Sequence, residues 1–344
     1  MQSQRGLQLV NKRILKLFLR IAISAVFIYI LISNSNVVEI AESLAETDHK
    51  ILILGVVLYI LGQLLSAYKW KLLAQAVGFQ NKLKEYFDYY FVGMFFNLFL
   101  PTTVGGDITK CYYLAKGESR KAPAIYSVLA ERYTGVIVIV WMATIALFSP
   151  IGNMVPMQPK AFMAFLSFLI IIITPTFPHL FLPYTKKKKW VRTLLRDIKV
   201  YWDQPRLFVK ALYWSTLFHL LIIAIHFTIG QAMGLDIPLA YYFILYPMAA
   251  MAGFIPIAFN GIGPREGTYI YFLALIGIKS SSALVFGIYW LGIVLFSSLI
   301  GGIFYIKGKR TAPPEEFEQF DFEEDYNEVT AEERIDMPEP QIQV

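Results

Sequence analysis

Pro101-Thr-Thr-Val-Gly-Gly-Asp107 stands between two apolar arms of one segment, Tyr86 to Lys116, and Asn260-Gly-Ile-Gly-Pro-Arg-Glu266 stands in the same way inside Tyr241 to Gly277. Pro101 ends the first arm because it supplies no amide hydrogen, and Gly105-Gly106 permits close backbone approach before a new helix begins near Asp107. In the second segment Pro256 breaks the arm, Asn260, Gly261 and Gly263 tolerate left-handed backbone angles, and Pro264 suits a first helical turn ahead of Arg265 and Glu266. Irregular backbone and ionisable side chains survive at membrane depth only where protein or a water-filled cavity surrounds them. A matched pair of interrupted segments therefore points to the substrate site of a transporter.

The membrane itself is read from the remaining chain. Apolar blocks of about 20 residues, the length that crosses hydrocarbon as helix, run over Ile14 to Ser33, Ile51 to Tyr68, Ile125 to Phe148, Ala161 to Leu182, Lys210 to Ala232 and Ala283 to Ile306. The expected fold is an all-α polytopic membrane protein: six full transmembrane helices plus two re-entrant or broken helical hairpins, arranged as two inverted repeats. The first block exceeds the apolar core of a signal peptide and has no Ala-x-Ala site, so it is read as a retained span.

Six crossings put both termini on one side. Lys and Arg collect in the N-terminus, around the first interrupted segment (Lys69, Lys71, Lys82, Lys84, Lys116, Arg120, Lys121), in Lys186 to Lys210 and at Lys307 to Arg310. The bias of short loops makes that side cytoplasmic. The first interrupted segment then enters from the cytoplasm and the second from outside. An offset of 159 residues also aligns Asp107 with Glu266, Thr109 with Thr268, Tyr112 with Tyr271, Leu114 with Leu273 and Ala115 with Ala274, as inverted-topology halves would.

The membrane domain is expected over 1–310, with halves at about 10–150 and 160–310 and an amphipathic cytoplasmic linker over 186–206 that lies on anionic lipid. Residues 311–344 hold twelve Asp or Glu and one Arg, so this stretch carries −11 and the rest of the chain +17. It reads as a disordered cytoplasmic tail able to engage a cytoplasmic protein. Cys111 is the single cysteine and is read as a packing residue.

Two helix N-termini facing the membrane interior, with Arg265 between them, would hold a phosphate or other anionic head group. Asp107 and Glu266 have two readings, as caps of those termini or as groups that touch substrate or a coupling ion. Charges at Asp107, Glu131, Arg132, Arg265 and Glu266 would together cost on the order of 12 to 17 kcal/mol at the bilayer centre if unpaired. Adjacent helical residues cannot face one another, so Glu131 and Arg132 need separate partners. The pairing expected is Arg132 with Asp107 and Glu131 with Arg265, the alternative being that Glu131 and Arg132 snorkel to the cytoplasmic interface.

His219 and His226 share a helix face, yet no third ligand follows, and interhelical hydrogen bonding is the expected role. No Walker loop, nucleotide fingerprint or Ser/His/Asp arrangement is present, so no cofactor and no nucleic acid are expected.

Asn97-Leu-Phe-Leu-Pro101 with Gly105-Gly106-Asp107, Glu131-Arg132-Tyr-Thr-Gly135 and Gly261-Ile-Gly263-Pro-Arg265-Glu266-Gly267 resembles the flippase-like membrane domain of lysylphosphatidylglycerol synthases over about residues 10–310. The resemblance implies a prokaryotic cytoplasmic-membrane protein with inverted halves and re-entrant helices that moves a lipid or lipid-linked head group between leaflets. It implies Asp107, Glu131, Arg132, Arg265 and Glu266 as substrate-binding residues, beside which the turn glycines Gly105, Gly106, Gly261 and Gly263 are expected to form the same site; membrane lipid is the expected ligand and a second copy of the chain an expected partner. Relatives usually carry Pro-Gly-Gly where this chain has Phe259-Asn260-Gly261, so its second turn is expected to differ. The soluble aminoacyl transferase domain is lacking, and lysyl transfer is expected to be absent with it. The rival activity is a membrane-embedded transferase acting on a lipid-phosphate substrate.

Overall fold

The computed structural model describes residues 19, 21–33, 35–99, 105–116, 121–181, 198–255 and 261–308. The tips of both interrupted segments (100–104 and 256–260), residues 182–197 of the connection between halves and the acidic tail lie outside the described residues. Among the described residues regular structure is helical throughout: α1 Ile21–Ser33, α2 Val37–Glu46, α3 His49–Ala76, α4 Leu83–Phe99, α5 Gly105–Ala115, α6 Lys121–Leu147, α7 Met157–Phe181, α8 Pro205–Ala232, α9 Tyr242–Gly253, α10 Pro264–Ala274 and α11 Ser280–Lys307. A short helical stretch at 198–203 precedes α8.

Five of these, α3, α6, α7, α8 and α11, are long and apolar enough to cross a membrane. The first expected span, Ile14 to Ser33, begins outside the described residues; its described part is α1, from which α2 turns by 92°. Local chemistry sets several boundaries. The Asn36 and Asp48 side chains accept the Val38 and Lys50 amides at the starts of α2 and α3, satisfying donors that a helix start leaves open. Pro205 and Pro264 open α8 and α10, where a missing N–H costs nothing.

Lipid is as apolar as leucine, so membrane helices associate through close packing at small residues and through polar contacts rather than by escaping water. The antiparallel pair α3 and α8 shows this. Gly55 meets Thr228 and Ile225, Gly62 meets Phe218 and Ile222, and Lys69 meets Ser215, with no Cβ on either glycine to hold the backbones apart. Helix α6 runs alongside α8: Ser127 meets Trp70 on α3, and Gly135 meets His219 on α8. Helix α7 packs on the outside of α6 through Tyr133–Thr174 and Thr144–Ser167, and its outer face leaves Phe162, Phe165, Phe168 and Ile171 exposed, as a lipid-facing helix does.

Each interrupted segment folds as an antiparallel helical hairpin. In the first, Gly106 lies against Gly93 and Asn97, Lys110 against Gly93, and the Tyr113 ring stacks on Tyr89. In the second, Gly261 lies against Gly253 near the tip, and the Tyr241 hydroxyl donates to the Phe272 carbonyl near the base. The base of the first sits by Trp70, toward the C-terminal end of α3, where Tyr86 packs edge-on against the indole. The base of the second sits at the opposite end, where Tyr242 meets Gly230 on α8 and the Asp48 amide donates to the Ala232 carbonyl. The hairpins thus enter the bundle from opposite ends.

Candidate functional site

Helices of both hairpins border one cavity of about 270 Å³. Asn97 from the first hairpin and Gly253, Phe254 and Arg265 from the second contribute to its wall, completed by α3, α6, α8 and Trp290 of α11. Among the described residues, those that bring charge to the lining are Lys69, Glu131, Arg132 and Arg265. Phe254 is 50% exposed and the Arg132 side chain 44% exposed, which marks the mouth on the side where α6 and the end of α9 meet.

Behind the wall runs a chain of buried charges. Asp107 takes the Arg132 guanidinium with both carboxylate oxygens, Nε to Oδ2 and Nη2 to Oδ1 at 2.9 Å each. Lys110, one turn on from Asp107, reaches Asp107 Oδ1 at 2.9 Å and Glu131 Oε2 at 3.1 Å. Glu131 Oε1 is 3.6 Å from Lys69, whose ammonium also donates to the Glu131 carbonyl and to Ser215. Lys69, Lys110, Glu131 and Asp107 are 2%, 3%, 4% and 8% exposed. Charges at that depth persist only when paired and hydrogen-bonded. Lys110 also lies over the Tyr90 ring at 4.4 Å, which adds a cation–π contact.

The expected Arg132–Asp107 pair is present. The expected Glu131–Arg265 pair is replaced: Glu131 is taken by Lys110 and Lys69, because it points between α3 and α5, while the Arg265 guanidinium lies against Gly253 and Gly261 across the cavity. Glu131 is buried and held from three sides rather than snorkelling. The sequence reading passed over Lys110, although it lies three residues after Asp107 and so shares its helix face. Lys69 stood there among the basic loop residues, whereas it sits deep in the bundle, where an ammonium needs the partner that Glu131 supplies.

The remaining predicted residues shape the tips. Gly105 opens α5 and is buried. Gly106 lets that helix start within touching distance of the Gly93 carbonyl, and its amide donates to Asn97 Oδ1 at 2.7 Å. Asn97, on the opposing arm, is thus the described side-chain partner at that helix start, while Asp107 is committed to cations. Glu266 does cap its own helix: Oε2 accepts the Gly263 amide at 2.6 Å, while Oε1 is buried with no hydrogen-bond partner among the described residues. Gly261 and Gly263 have φ of 74° and 104°, values that glycine adopts without Cβ strain. A Cβ on Gly253 or Gly261 would also meet the Arg265 guanidinium, and one on Gly263 would strike Phe27 of α1.

Two histidine–tyrosine pairs tie the second hairpin to α8. Only Nε2 of His219 can donate to the Gly135 carbonyl, so Nδ1 accepts from the Tyr246 hydroxyl at 2.7 Å. His226 holds the other tautomer, donating from Nδ1 to the Ile222 carbonyl and accepting from Tyr269 at Nε2, 2.8 Å each. Each arm is therefore anchored once, and the expected hydrogen-bonding role of both histidines holds. No group of three or more metal-ligating side chains occurs among the described residues.

A UPF0104 membrane protein of Methanocaldococcus jannaschii is 29% identical over 122 residues, 35% of this chain and 36% of that protein. The chain thus matches about a third of that relative's length. No solved structure matches it. The lysylphosphatidylglycerol synthase TM region matches residues 17–302, from the first apolar segment to the last turns of α11, and the chain belongs to this family of integral membrane proteins.

Proposed function

We propose that the protein is a flippase-like transporter of a prokaryotic cytoplasmic membrane, moving an anionic lipid between leaflets, with both termini cytoplasmic. The head group enters the cavity between the hairpins and is held by Arg265 and Arg132 in the field of Lys69. The apolar tail stays among lipid outside the mouth bounded by Phe254. Transfer follows when the two hairpin-bearing halves rock about the site, as inverted repeats allow.

The observation that carries this reading is the shared cavity: hairpins entering from opposite ends contribute to one wall that, among the described residues, bears Lys69, Arg132 and Arg265 against Glu131. Binding from both halves at one enclosed site is what alternating access needs, since either hairpin can part from the ligand while the other holds it. The antiparallel build of both hairpins, each with an acidic residue in the first turn of its second helix, supports the inverted relationship. The rival, a membrane-embedded transferase, has Asp107, or Glu42 and Glu46 on α2, as its candidate acid or base, and the Asp107 carboxylate is already taken by Lys110 and Arg132.

Purified protein in vesicles carrying fluorescent phosphatidic acid and phosphatidylglycerol tests the proposal. Leaflet exchange is expected with the lipids chemically unchanged, and Arg265→Ala is expected to abolish it while the protein stays folded. Undiminished exchange in that variant removes Arg265 from the site, and a new lipid product makes the protein an enzyme.

A further inference from the structure

We infer that Gln63 and Tyr59 of α3 select a polyhydroxylated head group, a sugar or cyclitol joined to the lipid through phosphate; this rests on the head-group reading of the cavity.

Helix α3 gives the cavity one face. Tyr59, Gln63, Ser66 and Lys69 all line it, at the three- and four-residue spacing that keeps side chains on one side of a helix. The later part of this stripe is committed to the protein: Ser66 is hydrogen-bonded with Tyr90, and the Lys69 ammonium donates to the Glu131 carbonyl and to Ser215. The earlier part is open. Gln63 is 5% exposed, and its amide makes no hydrogen bond among the described residues. The Tyr59 hydroxyl likewise makes none, and it lies within electrostatic reach of Arg132 and Arg265. A buried amide is costly unless it is hydrogen-bonded. Its partner therefore belongs in the cavity that it lines.

That partner must both give and take hydrogen bonds. The Gln63 amide offers N–H donors and a carbonyl acceptor, and the Tyr59 phenol is donor and acceptor at one oxygen. A hydroxyl, also both, meets either of them. The oxygens of a phosphodiester only accept, which leaves the Gln63 carbonyl unmet. An ammonium head group only donates and needs a carboxylate, and Glu131, which brings that group to the lining among the described residues, is held by Lys69 and Lys110. The remaining wall suits the carbon skeleton of a polyhydroxylated ring, whose C–H faces are apolar while its hydroxyls point outward. Phe218, Tyr246, Tyr269 and Trp290 border the same space, and a mostly aromatic pocket with a few placed polar groups is the usual form of a small-molecule site. At about 270 Å³ the cavity lies just under the range of about 300–1,000 Å³ for such sites, the size for a head group whose tail stays outside. The phosphate then lies toward the two guanidiniums and the hydroxyls toward α3.

Isothermal titration of the detergent-solubilised full chain at neutral pH tests this with three singly charged probes: dihexanoyl phosphatidylinositol, dihexanoyl phosphatidylmethanol, which has the same charge and no head-group hydroxyl, and glycerophosphoinositol, the inositol lipid without its acyl chains. Phosphatidylinositol is expected to bind at least tenfold more tightly than phosphatidylmethanol, since a site built to bond hydroxyls is left unpaired by an analogue that lacks them. Gln63→Leu is expected to cut that preference to threefold or less. Tyr59→Phe, which keeps the ring against Trp290, is expected to cut it at least twofold and stands in if the first variant unfolds. Equal affinities, tighter binding of phosphatidylmethanol, no binding of phosphatidylinositol, or a preference that survives in the folded variant overturns the inference. Glycerophosphoinositol binding as tightly as phosphatidylinositol sustains the polyhydroxylated ligand and assigns it to a soluble source. Leaflet exchange of both lipids in vesicles is measured in parallel. Equal binding with exchange intact refutes the selection of hydroxyls alone, and a binding preference without any exchange refutes the transport reading alone.

Discussion

Asp107 and Arg132 face each other across the α5–α6 interface in a two-pronged ion pair, with Nε–Oδ2 and Nη2–Oδ1 both at 2.9 Å. The pair joins the first hairpin to a membrane-spanning helix, and it aims the guanidinium along the wall of the cavity. Removing the acid alone leaves Arg132 a cation without its main anchor; removing both relieves that. A double-mutant cycle of Asp107→Ala and Arg132→Ala, read by thermal unfolding in detergent, is expected to give a coupling of about 1–3 kcal/mol. A coupling near zero would mean that Lys110 alone holds Asp107 and that Arg132 is positioned otherwise.

Glu131 is the more demanding member of the network because two ammonium groups depend on it. Glu131→Gln strands positive charge in the bundle and is expected to cost about 3–5 kcal/mol, the range for breaking one side of a buried pair. Combining it with Lys69→Met is expected to recover part of that loss. Failure of the second substitution to restore any stability would show that Lys69 is held by Ser215 and the Glu131 carbonyl rather than by the carboxylate.

Much of this was legible in the sequence. Apolar blocks of membrane length located α3, α6, α7, α8 and α11, since period and length are properties of the chain alone. Gly105-Gly106 and Gly261-Ile-Gly263 located the hairpin tips, since close backbone approach and positive φ restrict residue type. Asp107–Arg132 was found because each needed an opposite charge at a similar depth. The partners of Glu131 were not found, because that required knowing which way a side chain points between α3 and α5 and how deep Lys69 lies in its helix. Asn97 as the partner of the α5 start was also hidden, as a cap reaching across a hairpin leaves no fixed spacing to the helix it serves.

The glycines separate geometry from propensity. A Cβ at Gly106 would collide with the Gly93 carbonyl and crowd Asn97, so Gly106→Ala must part the arms of the first hairpin and break the Asn97 contact. A loss of about 1–3 kcal/mol is expected, as for an overpacked core, together with loss of transport. Gly267, inside α10, has nothing among the described residues within 4 Å of its would-be Cβ. Gly267→Ala is expected to stabilise by about 0.5–1 kcal/mol through helix propensity. Equal effects at the two positions would count against the close approach described for the first tip.

Beside the cavity, which Tyr246, Tyr269 and Trp290 help to line, Tyr269 supplies the hydroxyl that His226 accepts, with Phe286 packed against the same imidazole. Tyr269→Phe keeps the ring packing and leaves the His226 acceptor buried without a donor. A loss of about 1–3 kcal/mol is expected, with the melting temperature in detergent as the measurement. An unchanged melting temperature would show that the second hairpin is held by ring packing alone.

Outside the spanning helices, Glu39 on α2 accepts from Ser281 at 2.6 Å and from Lys279 at 2.9 Å, clasping α2 to the start of α11. The Ser281 hydroxyl and then the Lys279 ammonium hold the Glu39 carboxyl below its ordinary value, and the same bond raises Lys279 above its own. A lowered carboxylate contributes above its ordinary pKa, and the contribution is lost as pH falls through the folded value; a raised lysine contributes below its ordinary pKa and loses that only at strongly alkaline pH. The clasp is therefore closed at neutral pH and opens on acidification below about pH 4. A nitroxide on Val38→Cys, an exposed position in a chain whose native cysteine is buried, reports the motion of α2. Its mobility is expected to rise on acidification, and Glu39→Gln is expected to show the raised mobility already at neutral pH. A label equally mobile across the acid range, and unmoved by Glu39→Gln, would place the hold on α2 in the Ser43–Ser282 and Tyr289–Leu44 contacts instead.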